Sequence, residues 1–166
     1  MHKLTTLAAL VFGITAASPA LAQAGPVEKE AILAACGGGI SAAQRASLQP
    51  AQARERLTCI IRETAGRTAP TLPQTLDPVT TLRQMTADGT TLTYQYSMTF
   101  SRAELPAGAM EGFYPQVRAR ACANPDKQEV IAAGGSFHYI WNDRNGERLG
   151  ELMLTSCEGL PAPAAP

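Results

Sequence analysis

Histidine is nearly absent from this chain: there are two in 166 residues, and His138 is the only one beyond position 2. The four cysteines include no CxxC-type spacing, so too few ligands exist for a zinc site, and neither a metal nor another cofactor is expected. Charge of either sign is not in excess. Fourteen Lys plus Arg meet fourteen Asp plus Glu, which leaves no basic surplus of the kind a nucleic-acid partner attracts. Beyond residue 22, no apolar run approaches the roughly 20 residues of a membrane span. A GxSxG elbow is missing as well. Gly134-Gly135-Ser136-Phe137-His138 brings a serine and a histidine close, but as alternate strand positions without the strained turn that exposes a nucleophile. Asp143-Arg144-Asn145-Gly146 opens like a calcium loop, lacks the later acidic ligands, and reads as turn chemistry.

What is present begins with an export signal. Met1-His2-Lys3 forms a short positive start, Leu4 to Ala17 carries no charge, and Ala20-Leu21-Ala22 has the small-x-small form of a cleavage site. Residues 1–22 are therefore expected to be a signal peptide, with Gln23 the mature N-terminus. Leu33-Ala34-Ala35-Cys36 has the letters of a lipoprotein box, but Glu28, Lys29 and Glu30 interrupt the apolar stretch it would need. Losing residues 1–22 removes Lys3 and no acid, giving 13 − 14 = −1 for the mature chain. The remaining 166 − 22 = 144 residues suit one domain, expected over 23–159, with a Pro/Ala-rich disordered tail over 160–166. Export makes the expected location the periplasm or the exterior.

Four cysteines in an oxidising compartment are read first as two disulfides. Three connectivities are possible for Cys36, Cys59, Cys122 and Cys157. Pairing Cys36 with Cys59 and Cys122 with Cys157 is favoured, because each bridge then joins neighbouring elements of one half of the chain.

Helical spacing of Val27, Ala31, Ile32 and Ala35 predicts a first helix ending at Gly37-Gly38-Gly39. A second is predicted from about Pro50 to Ala65, capped by Gly66, with Ala53, Leu57, Ile60, Ile61 and Thr64 on one stripe. Residues 67–78 read as a Thr/Pro loop. From there the period changes to two. Leu92, Tyr94, Tyr96, Met98 and Phe100 alternate with polar residues after the Asp88-Gly89 turn, which predicts a hairpin pairing Ala87 with Thr90, Met85 with Leu92 and Arg83 with Tyr94. Asn145-Gly146 predicts a second hairpin pairing Arg144 with Glu147, Trp141 with Gly150, Tyr139 with Leu152 and Phe137 with Leu154. Between them, a loop is expected to lead into a helix from about Pro115 to Cys122. Asn124-Pro125-Asp126 then opens a further short helix that stops at Gly134-Gly135. The expected fold class is α+β: an antiparallel sheet of at least four strands, in two hairpins, with helices packed on one face, in the order αα-ββ-αα-ββ.

The second register makes His138 and Glu151 diagonal neighbours, the one arrangement that could serve acid/base chemistry. Tyr94, Tyr96, Tyr139 and Trp141 are expected in the core rather than as a ligand platform. Over residues 76–157, Leu76-Asp77-x-x-Thr80-x-Leu82, Leu92-x-Tyr94-x-Tyr96, Cys122, Gly134-x-x-x-His138-Tyr139-x-Trp141-x-Asp143-x-x-Gly146 and Cys157 together resemble a type of small exported protein of Gram-negative bacteria. In layout the chain is also similar to the pilotin-like chaperones of type II secretion. These resemblances imply a curled sheet with helices and a disulfide, and they carry over no catalytic residue. The expected function is a non-enzymatic periplasmic or secreted binding or accessory protein whose partner is an envelope protein or peptide. The alternative is a cell-envelope hydrolase using His138 with a nearby carboxylate such as Glu151.

Overall fold

A computed structural model describes residues 26–159, so the expected signal peptide at 1–22 and the tail at 160–166 lie outside the described residues. Three helices come first, α1 (Pro26–Ala35), α2 (Ala42–Ala46) and α3 (Pro50–Thr68), followed by strands β1 (Gln74–Asp77), β2 (Thr80–Asp88) and β3 (Thr91–Met98). Two helices, α4 (Ala109–Cys122) and α5 (Pro125–Ala132), lead to β4 (Ser136–Asn142) and β5 (Arg148–Leu154). The expected αα-ββ-αα-ββ order is thus corrected to ααα-βββ-αα-ββ. The additions are α2, a single turn opened by a Ser41/Gln44 capping box, and β1, hidden in a stretch whose prolines mask strand character.

The helix boundaries follow from local chemistry, with two departures. On α3 the buried residues are Leu57, Ile61 and Ala65, one side of the helix at a spacing of four. Gly66 does not cap this helix, which runs on to Thr68. Helix α4 starts at Ala109, six residues earlier than expected, and carries Pro115 inside it. The hydrogen bond lost at Pro115 is offset by packing, since Ala121 and Cys122 are buried and Tyr114 and Val117 pack against the core. In α5 the Asn124 side chain accepts from the Lys127 backbone N–H at 3.1 Å, the N-cap that the sequence announces.

The sheet is mixed rather than antiparallel throughout. Its order is β1-β2-β3-β4-β5, with β3 and β4 running parallel from Thr91 opposite Ser136 to Ser97 opposite Asn142. The reason is the connection: α4 and α5 carry the chain back to the end where β3 began, and parallel neighbours require such a crossover. At its entry Gly134 takes a positive φ of 87°, and a Cβ on Gly135 would sit 2.9 Å from the Val130 carbonyl oxygen, so only glycine fits that turn.

The β4–β5 register is as expected for Phe137 with Leu154, Tyr139 with Leu152 and Trp141 with Gly150. It slips before the turn, so the expected Arg144–Glu147 pair does not form, and the Asp143 N–H bonds instead to the Glu147 carbonyl at 2.8 Å. Asp143 is 1 % exposed. Burial pushes its carboxyl pKa up, but the backbone N–H groups of Glu147, Arg102 and Asn145 outweigh this and hold it below the ordinary range. From Met85 to the turn the β2–β3 register is corrected by two residues, and beyond a bulge by one: Met85 faces Tyr94 and Ala87 faces Leu92, with Gly89-Thr90 as the turn, whereas Leu82 faces Tyr96 and Thr81 faces Ser97. Because a shift of two keeps side chains on their faces, the apolar pairing survives from Met85 to Ala87, while the shift of one beyond the bulge brings Leu82 to the core face. Arg83 does not pair with Tyr94. It is the extra residue of a bulge between Leu82 and Gln84, and it is exposed.

One core cluster joins Leu57, Ile61 and Ala65 of α3, Ala121 and Cys122 of α4, Leu82, Met85 and Leu92 of the hairpin, and Phe137, Tyr139, Trp141 and Leu154 of β4–β5. Disulfides link Cys36 to Cys59 and Cys122 to Cys157. Rings of this size constrain the unfolded chain by about 3–4 kcal/mol each in the chain-entropy account.

Candidate functional site

His138 and Glu151 stand on strands β4 and β5, opposite Met153 and Ile140 respectively, which makes them diagonal neighbours. Their side chains meet, with Nε2 3.3 Å from Oε2, and the same carboxylate oxygen accepts from Arg148 Nη1 at 2.6 Å. The guanidinium therefore competes for the oxygen that a base would need. Both carboxylate and guanidinium are about half exposed, at 56 % and 50 %. Ser136, on the same face, has its hydroxyl 2.8 Å from the Thr91 hydroxyl, and His138 makes its recorded contact with Glu151 instead.

The aromatic residues take the other side of the sheet. Tyr94 stacks on Tyr139 at 5.2 Å between centroids, Tyr96 on Trp141 at 6.0 Å, and Tyr139 on Trp141 at 6.1 Å. From α4, Phe113 meets Trp141 edge-on at 5.4 Å. Tyr139 and Trp141 are each 3 % exposed, so this tier is core.

Lys127 closes the tier from above, and nothing in the sequence pattern singled it out. Its ammonium lies 5.0, 5.3 and 5.2 Å from the ring centres of Tyr94, Phe137 and Tyr139, and it hydrogen-bonds the Tyr139 hydroxyl at 2.9 Å. Burial lowers its pKa to about 8, with no carboxylate contributing in the opposite direction. Burial also drives the phenols of Tyr94 and Tyr139 well above their ordinary range. The only early sign was position: Lys127 sits at the third residue of a short capped helix. Its partners lie 10 to 33 residues away, beyond the reach of local pattern.

A third feature lies on the helical side. An open groove of about 720 Å³ runs along α3 beside the end of α1, over the Cys36–Cys59 bridge. Arg54, Arg56 and Arg62 line it with Glu55 and Thr58. Arg56 is held in place by hydrogen bonds to the carbonyls of Cys36 and Gly38, whereas Arg54 and Arg62 are exposed. The groove contains guanidinium groups, one carboxylate and a hydroxyl, but no histidine and no free thiol. Neither His138 nor Glu151 borders it.

A five-stranded mixed sheet with helices and two disulfides defines a small α+β protein. No protein-family model matches the chain, and no curated protein matches it in sequence. Solved structures do share its fold. A candidate secreted protein of Pseudomonas aeruginosa superposes with a TM-score of 0.57 at 15 % identity, over 72 % of this chain and 100 % of its own. The type II secretion system pilotin AspS of Vibrio cholerae does so at 0.52 and 19 %, over 63 % and 94 %. EpsS, the pilotin of the Vibrio vulnificus type 2 secretion system, gives 0.57 and 11 %, over 67 % and 98 %. The similarity in layout to pilotins is therefore a likeness of fold. Among the described residues no helix is long and apolar enough to cross a membrane.

Proposed function

We propose that this chain is a non-enzymatic accessory protein of a Gram-negative secretion assembly, working in the periplasm, where the groove between α1 and α3 holds an acidic segment of an envelope protein. The observation that carries the reading is the groove itself. It offers two exposed guanidinium groups beside a third that is fixed by backbone carbonyls, all over a disulfide-pinned floor. Planar guanidinium groups recognise carboxylates through paired hydrogen bonds, and a site built of them binds without supplying a nucleophile or a base. The shared fold with two pilotins supports a secretion role. The hydrolase alternative has less support, because Arg148 engages the Glu151 carboxylate and the His138 pair lies away from the α1–α3 groove.

The test is capture from solubilised envelopes with the oxidised protein. Wild-type protein retains one secretion-system envelope component, and Arg54→Glu with Arg62→Glu weakens retention about tenfold or more. Retention also falls as salt rises. His138→Ala leaves it unchanged. Retention that ignores both charge reversals would overturn the assignment of the groove, and loss of retention through His138 would turn attention to the sheet face.

A further inference from the structure

The two disulfides differ in what faces them. Cys122 belongs to the core cluster and Cys157 packs against it, and neither borders the α1–α3 groove. Cys36 and Cys59, by contrast, both line that groove, an open space of about 720 Å³. Cys36 is 9 % exposed and Cys59 is half-buried, so a small molecule in the groove meets the bridge from the Cys59 side. Three guanidinium groups surround that approach against one carboxylate, Glu55. Arg54 and Arg62 are exposed, and Arg56 is fixed by hydrogen bonds to the carbonyls of Cys36 and Gly38.

We propose that the Cys36–Cys59 bridge is a thiol–disulfide exchange site for small anionic thiols, those carrying a carboxylate or sulfonate, which the guanidinium groups of the groove draw to the sulfurs. The lone pair of the incoming thiolate forms a bond to Cys59 Sγ while the Cys36–Cys59 bond breaks, and its electron pair leaves on Cys36 Sγ. A second thiolate then attacks the outer sulfur of the mixed disulfide. Two thiols are thereby oxidised to one disulfide, and the bridge is reduced to two cysteine thiols. Positive charge acts twice in this sequence. Arg54 and Arg62 raise the local concentration of an anionic attacker, and Arg56, bonded to the backbone of Cys36, sets a cation beside the residue whose thiolate departs. The reaction shares the groove with the proposed partner segment but needs no partner. Its rates are read on the isolated protein, so a groove that retains no envelope component and a bridge that ignores thiol charge are separate failures.

The experiment treats the full oxidised chain at low salt with mercaptoethanesulfonate, mercaptoethanol or cysteamine, an anionic, a neutral and a cationic thiol, at equal thiolate concentration. Acid quenching, alkylation and peptide mass spectrometry then give the rate at which each bridge opens. At Cys36–Cys59 the anionic thiol is expected to react about tenfold faster than the cationic one, and at Cys122–Cys157 no more than about twofold faster. Sodium chloride at about 0.5 M is expected to collapse the difference. Arg54→Glu with Arg62→Glu is expected to reverse the order of the thiols at the first bridge, and the salt series stands without that variant. Equal rates for the three thiols at Cys36–Cys59, or the same preference at both bridges, overturn the proposal. A preference that survives both salt and charge reversal overturns it too, since the guanidinium groups would then not be its cause.

Discussion

The helical half of the molecule, α1 to α3, and the aromatic half, β3 to β5 with α4 and α5, are each closed by one disulfide but are built differently. In the helical half the bridge lies at the rim: Cys36 is buried at 9 % exposed, Cys59 is only half-buried, and a charged groove opens over them. In the aromatic half Cys122 is part of the core, at 6 % exposed, beneath a tier of stacked rings. The core residues of α3 face the sheet, so its outer side is free to carry arginines without cost to the fold. On the proposed function, the difference separates scaffold from binding surface: substitutions in one half should act on stability, and in the other on partner affinity.

The strongest way to test that division is to remove Trp141, which touches Tyr96, Tyr139, Phe113 and Tyr114. Trp141→Ala is expected to lower the unfolding free energy by about 3–5 kcal/mol in urea titrations, while Arg54→Glu with Arg62→Glu shifts it by less than about 0.5 kcal/mol. Next come the two bridges. Replacing Cys122 and Cys157 by serine is expected to cost at least the roughly 3–4 kcal/mol of loop entropy. Opening Cys36–Cys59 should cost less, because that bridge fills less of the core.

Lys127 sharpens the comparison within the aromatic half. Its amine has a pKa near 8 when folded and about 10.5 when unfolded, so between those values the unfolded chain binds more protons and stability rises with pH. The gain from pH 7.5 to 9.5 is expected to be about 1–2 kcal/mol, to be absent in Lys127→Met, and to be followed by a decline above pH 10. That decline comes from Tyr94 and Tyr139, whose phenols ionise more readily in the unfolded chain. A flat profile would mean that the ring faces offset the burial in full. The smallest effect belongs to His138→Gln. Its partner Glu151 is already held by Arg148 and half exposed, so a change below about 0.5 kcal/mol is expected by thermal unfolding.

Where a local signal had a local cause, the sequence could be read. Asn145-Gly146 placed the β4–β5 pairs, Asn124-Pro125 opened α5, and alternation from Leu92 to Met98 marked β3. Where tertiary packing overrode the local signal, it could not. Pro115 set the expected start of α4 six residues late, because packing of Tyr114, Val117 and Ala121 maintains the helix on both sides of it, and Asp88-Gly89 placed the turn one residue early, before a bulge at Arg83. The parallel β3–β4 seam depends on where a crossover lands, which no strand pattern encodes. His138 and Glu151 were placed together correctly by register, whereas the groove depends on how α1 meets α3, and Lys127 gains its character from rings on two other strands.

The central claim is that the partner docks on the helical half, and site-specific photo-crosslinking in intact cells tests it most directly. A photoreactive residue in place of Thr58, in the groove, is predicted to capture a secretion-system envelope protein, and one in place of the exposed Met153, on the sheet, to capture none. Crosslinks from Met153 with none from Thr58 would contradict the account.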